Sequence, residues 1–163
     1  MKILSMKTTI FLGAMLSLLV CLMFTGCSNS ETNSTSRGLT DFAHIEEEYL
    51  ATIDSLNWPD GITLPDKLED EDTGASFQVG YGETRAFYLW EYSWMKEWLD
   101  TYNTDPERAE KALEELEKAF DMPYMGIDRC DDATRNYLRE NIDKAKLGDP
   151  SGFTESIRAN YAN

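Results

Sequence analysis

Residues 87–102 read Phe87-Tyr88-Leu89-Trp90-Glu91-Tyr92-Ser93-Trp94-Met95-Lys96-Glu97-Trp98-Leu99-Asp100-Thr101-Tyr102. Seven of these sixteen residues are aromatic. Trp90, Trp94 and Trp98 recur every fourth position, the spacing that lines side chains along one face of a helix. At about 100° per residue Phe87 joins that row. Met95, Leu99, Tyr88 and Tyr92 widen it to about half the circumference, with Ser93, Lys96, Glu97 and Asp100 on the other side. This helix, predicted from about Glu83 to Tyr102, is the natural centre of a small core.

The same row has a second use. Flat rings stack on sugars and apolar side chains, and Tyr and Trp add a polar edge. Tyr88, Trp90, Glu91, Trp94 and Trp98 are therefore candidate ligand-binding residues, beside the reading that they only fill the core. Glu91 breaks the apolar pattern, because its angle places it among Phe87, Trp94 and Trp98. A buried carboxylate is costly unless paired or protonated. An ion pair with Arg85, Arg129, Arg135 or Arg139 would meet that cost. A ligand-contacting or proton-donating acid in an aromatic pocket is the alternative, and an exposed Glu91 on a rotated helix is the third.

Upstream, Thr40 or Asp41 can cap a helix to about Leu56, with Phe42, Ile45, Tyr49, Ile53 and Leu56 at helical spacing. Trp58-Pro59-Asp60-Gly61 stops it. Residues 62–82 are expected to be a long irregular strap, with Phe77-Gln78-Val79 either a short strand or extended chain. Gly80-Tyr81-Gly82-Glu83 leads into the aromatic helix, either as simple helix entry or as backbone amides offered to an anion. The acidic run Asp66, Glu69, Asp70, Glu71 and Asp72 lacks the spacing and central glycine of a calcium loop.

Downstream, Asp105-Pro106 reads as a cap followed by proline in the first turn. Ala109, Ala112, Leu113, Leu116 and Phe120 form an apolar stripe, Glu110 and Glu114 face Lys111 and Lys118, and Met122-Pro123 ends the segment. Asp131 or Asp132 opens a helix that turns Ala133, Tyr137, Leu138, Ile142 and Ala145 inward and ends at Gly148. Asp149-Pro150 repeats the cap, and Phe153, Ile157 and Tyr161 line a last short helix. The fold class expected is all-α: a small bundle of four or five helices with a long irregular strap after the first.

Ahead of this domain the chain begins MKILSMKTTIFLGAMLSLLVCLMFTGC. Lys2 and Lys7 are the only charges before Glu31, and Met6 is an alternative start. The apolar run Ile10–Phe24 is short for a bilayer span, which takes roughly 20 residues. The ending Phe24-Thr25-Gly26-Cys27 resembles the lipobox of bacterial lipoproteins, with Phe24 where the family usually has leucine. The resemblance implies a signal peptide over 1–26, cleavage before Cys27 and a lipid on that cysteine's thiol. An uncleaved span through the uncharged Thr8–Ser30 and plain secretion are the alternatives; all three put the domain outside the cytoplasm. Ser28–Gly38, SNSETNSTSRG, reads as a flexible tether of about 18 Å root-mean-square reach. The organisation expected is therefore signal peptide 1–26, lipidated Cys27 and tether 27–38, and helical domain 39–163.

Charge narrows the partners. The whole chain has a net charge of −15. Loss of Lys2 and Lys7 with the leader leaves 13 basic against 30 acidic residues in 137, a charge of −17. Such a surface repels nucleic acid and anionic lipid. Cys21 leaves with the leader and Cys27 is lipidated, so Cys130 has no internal disulfide partner and is a half-buried residue, an intermolecular disulfide partner or a reactive thiol. His44 is the single histidine. Neither a metal site nor a cofactor is expected, and no G-x-S-x-G, H-E-x-x-H or P-loop pattern occurs. The stretch Phe77–Leu99, with its GYGE turn and spaced tryptophans, resembles uncharacterised extracytoplasmic proteins of Gram-positive bacteria. The expectation is a lipid-anchored, non-enzymatic interaction or binding domain at the cell membrane, facing an envelope protein or wall component. A sugar- or peptide-binding module on the aromatic helix is the alternative, and an enzyme with paired carboxylates a third.

Overall fold

Asp41 accepts the N–H of His44 at 3.0 Å, and this cap opens α1 (Phe42–Ser55). The expected apolar spacing puts Ile45, Tyr49 and Ile53 inside. The computed structural model describes residues 38–69 and 71–161. The expected signal peptide, Cys27 and the tether up to Arg37 lie outside the described residues.

Residues 56–69 and 71–76 belong to the strap after α1. It is folded down rather than loose: Leu68 is buried against Ile45, Tyr49 and Ile53, and its N–H meets the Glu46 carboxylate at 3.3 Å. The strap ends in a strand. β2 (Phe77–Gln78) pairs antiparallel with β1 (Leu39–Thr40), Leu39 opposite Gln78 and Thr40 opposite Phe77. That settles Phe77-Gln78 as a strand and adds its partner, which local pattern did not indicate.

α2 spans Tyr81–Thr101, starting two residues earlier than expected. Gly80 precedes it with φ 88°, a left-handed conformation suited to glycine. No side chain of its own caps the helix. Glu48 of α1 does so instead, accepting the N–H of Gly80 at 2.7 Å and of Gly82 at 3.2 Å. The helices cross so closely here that a Cβ on Gly82 would lie 1.8 Å from the Ile45 carbonyl oxygen. Glycine is therefore a requirement of the α1–α2 packing, beyond any role in the turn.

α3 (Pro106–Glu117) starts at the Asp105 cap with proline in its first turn, as the sequence predicts. It then tightens into a 3₁₀ turn, Lys118–Asp121, and a second follows at Pro123–Met125. The helix proper thus stops five residues before Met122. Lys118 pairs with Glu115 at 2.6 Å instead of Glu114, and Lys111 lies 5.9 Å from the Trp94 ring. α4 (Asp132–Lys146) is capped by Asp131. Its inward face is Leu138, Asn141, Ile142 and Ala145; Ala133 and Tyr137, expected inward, are exposed. The helix is rotated so that Asn141 packs where α5 (Ser151–Asn160) begins, its Oδ1 within 2.6 Å of where a Cβ on Gly152 would lie. Pro150 takes the cap position of α5, and Asp149 accepts the Ser151 N–H at 2.9 Å. The cap-plus-proline device is displaced by one residue from its expected register.

The fold is all-α with a two-stranded clip, and α2 is shared by two apolar clusters. On one side Ala86 meets Ile45, Tyr49, Ile53 and Leu68. On the other, Phe87, Trp90, Trp94, Met95 and Trp98 join Ala112, Leu116, Leu138, Ile142 and Phe153. Burying each large side chain contributes about 2 kcal/mol. Ser93, expected in solvent, is buried because both sides of α2 are covered; its hydroxyl donates to the Leu89 carbonyl at 2.7 Å. Among the described residues no helix is long and apolar enough to cross a membrane.

Candidate functional site

The five aromatic-helix candidates separate. Trp90, Trp94 and Trp98 are at most 2% exposed. The Trp90 and Trp94 indole N–H groups both donate to the Asn57 carbonyl, at 2.8 and 3.2 Å. Trp98 stacks on Tyr102 and meets Phe153 edge-on. Their rings and polar edges are used in holding the turn after α1 and the core. Tyr88 and Glu91 instead open onto a cleft of about 540 Å³.

Glu91 reaches the cleft floor because positions 87, 91, 94, 95 and 98 share one face of α2. Opposite it stands the irregular segment after α3. Pro123 begins the 3₁₀ turn that turns Tyr124 inward. The Tyr124 ring stacks on Phe87 at 4.4 Å, and its hydroxyl donates a hydrogen bond to Glu91 Oε1. Among the described residues Tyr124 is the one hydrogen-bond donor to this carboxyl. α4 contributes Tyr137 and Leu138 to the wall, and the end of α5 contributes Tyr161, whose ring lies 5.0 Å from Tyr92.

None of the four arginines expected to neutralise Glu91 does so. Arg85 pairs with Glu71 and Arg129 with Glu83. Arg135 donates to the carbonyls of Met125, at 3.2 Å, and Cys130, and pairs with Asp132. Arg139 lies over the Phe120 ring and donates to Asn136. The reason is geometric: α2 faces Tyr124 at this level, and the arginines emerge beside other partners, acids for Arg85, Arg129 and Arg135 and the Phe120 ring with Asn136 for Arg139.

Burial without a cation raises the Glu91 carboxyl from 4.5 to about 7, the Tyr124 hydrogen bond pulling more weakly the other way. Burial first, and then the Glu91 charge, raise the phenols of Tyr88, Tyr124 and Tyr161. The Cys130 thiol is raised chiefly by burial too, which favours its protonated form. The cleft has one further acid, Asp131, whose carboxyl is held by the Thr134 N–H at 2.7 Å and lowered by that bond.

Other expected features have structural occupants. The amides of the GYGE turn do meet an anion, and it is the chain's own Glu48. In the acidic strap, Glu71 accepts from the Tyr81 hydroxyl at 2.7 Å and pairs with Arg85. His44 lies 3.4 Å from Glu48 on the surface. Among the described residues no three His, Cys, Asp or Glu side chains are grouped to hold a metal ion. A second depression, running past Trp98 and Tyr102 to Lys146, is more open, and Lys146 there is paired with Glu117.

Tyr124, Tyr137 and Tyr161 were not recognisable as site residues. The first sits in an irregular turn, and the other two lie on helix faces whose rotation is set by tertiary packing. The one local signal is an aromatic residue directly after Pro123, where a helix cannot continue. No protein-family model, curated protein or solved structure matches the chain.

Proposed function

We propose that this chain is a lipoprotein of the cell envelope, held to the membrane through lipid on Cys27 and facing outside the cytoplasm. Its helical domain is a non-enzymatic binding module that receives its ligand in the cleft over Glu91. The observation that carries the binding reading is the division of α2. Its tryptophans are spent on the core, while Tyr88 and Glu91 are left at a cleft within the size range of ligand pockets, roughly 300–1,000 Å³.

The placement of charge supports binding over hydrolysis. A carboxylate-pair enzyme needs two acids free to face a substrate. Asp131 is committed to capping α4, so Glu91 stands without a second free acid in the cleft. The acidic domain disfavours nucleic acid and anionic wall polymers as partners. A small molecule, or a small group presented by an envelope protein or wall component, fits the cleft.

The anchor is tested by Cys27→Ala. Wild type is expected in the membrane fraction as a processed chain, and the variant as released or unprocessed protein. Unchanged processing and membrane retention would refute the lipid anchor. The binding module is tested separately by Tyr137→Ala, a change on the cleft rim that is expected to weaken capture of envelope components while leaving the thermal midpoint unchanged.

A further inference from the structure

Resting on the cleft as binding site, we infer that it takes a small organic cation, a protonated alkylamine whose ammonium sits between the Glu91 carboxylate and the surrounding tyrosine rings. Three features converge on that chemistry. Glu91 is 7% exposed and no basic side chain among the described residues pairs with it, so the cleft there holds a carboxylate without a counter-charge. An arriving ammonium supplies the missing charge where screening by water is weak.

The walls fit the same ligand. Tyr88, Tyr124, Tyr137 and Tyr161 line the cleft, and aromatic faces attract cations. Met95, Met125 and Leu138 lie between them and suit an alkyl chain. Among the described residues the Glu91 carboxyl has only Tyr124 as a donor, which leaves room for an ammonium N–H on its other oxygen. The guanidinium of Arg129, the cation in the cleft lining, is turned to Glu83 and does not compete. An anionic ligand would meet Glu91 and Asp131 with that one engaged arginine as its counterpart. The domain's net negative charge draws cations toward the cleft and sets no barrier to them.

Ionisation of Glu91 governs the affinity. The groups around it are Tyr88 on α2, Tyr124 and Cys130 on the irregular segment, Arg129 and Asp131 beside them, Tyr137 on α4 and Tyr161 after α5. The phenols and the thiol are raised and stay neutral near pH 7 where their shifts are resolved. Glu91 is therefore the group that changes charge there, and an alkylammonium stays protonated throughout. Bound cation in turn favours the ionised carboxylate, so binding releases a proton below about pH 7.

The experiment titrates the full chain in non-ionic micelles with n-butylammonium chloride, and in parallel with 1-butanol as neutral isostere and tetramethylammonium as a cation without N–H. Calorimetry and amide chemical shifts of the cleft residues are read from about pH 5.5 to 8.5. Butylammonium is expected to shift the cleft amides and bind more tightly as pH rises through about 7. Tetramethylammonium should bind more weakly and butanol not measurably. Glu91→Gln, which keeps the Tyr124 hydrogen bond, should weaken butylammonium about tenfold or more and flatten the pH profile. Tyr137→Ala, exposed and outside the core, should weaken it without changing the fold. Equal binding of butanol would overturn the cation and leave the cleft as a site for neutral ligands. Failure of both to shift the cleft amides would overturn the cation and the cleft together, and the Cys27→Ala fractionation would be unaffected.

Discussion

At the start of α2, the Glu48 carboxylate lies on the N–H groups of Gly80 and Gly82, with His44 on its outer side. About three turns further along the same helix, Glu91 is more deeply buried and has one phenol for company. The first acid is matched by helix amides whose partial positive charge favours an anion. Among the described residues the second has neither amides nor a cation. Where the fold supplies its own counter-group the space is closed and structural; where it does not, a cleft remains and the acid is held partly neutral. The contrast separates an anion device used for packing from a carboxylate left available.

Breaking the closed end should have the largest effect. Gly82→Ala drives a methyl into the Ile45 backbone carbonyl, and α1 cannot recede without losing Ile45, Tyr49 and Ile53 from their cluster. A loss of about 3 kcal/mol is expected in urea unfolding, the upper end for overpacking. A wild-type midpoint would show that the helices do not cross there.

At the open end the effect depends on pH. The folded-state pKa of Glu91, about 7, exceeds its ordinary 4.5, so the native state holds the extra proton between these values. This group's contribution to stability is greatest below about pH 4.5, falls as pH rises to about 7, and is constant above. Glu91→Gln removes that fall. The variant should gain on wild type across this window by on the order of 3 kcal/mol at most. Parallel unfolding curves for the two chains from pH 4.5 to 8.5 read the difference directly, and a pH-independent difference counts against a buried, unpaired acid. Glu48→Gln is the milder test of the closed end. It keeps an acceptor for Gly80 and Gly82 but removes the charge, and a loss of about 1 kcal/mol in urea unfolding at pH 7 is expected.

Local chemistry made the helix starts legible. Asp41, Asp105 and Asp131 each cap the helix they announce, and the Trp90–Trp94–Trp98 spacing located the core helix. What failed depended on tertiary contact. The Leu39–Gln78 pairing joins chain segments 39 residues apart through strands of two residues each. Ser93 was misplaced because α2 is covered on two sides, and Tyr137 because α4 is rotated to seat Asn141 against α5. For Glu91, helical angle was enough to indicate burial. Its partner is not readable, since Tyr124 arrives 33 residues later from an irregular turn, while Arg85, Arg129 and Arg135 are engaged by Glu71, Glu83 and Asp132 and Arg139 by Phe120 and Asn136.

The central claim is that Glu91 is a buried carboxyl without a cationic partner. It is tested most directly by following the Glu91 side-chain carboxyl carbon by NMR as pH is raised, with Glu91→Gln identifying the signal. The account predicts a midpoint near 7, falling when n-butylammonium is added. A midpoint at the ordinary glutamate value of about 4.5, unmoved by the amine, would contradict it.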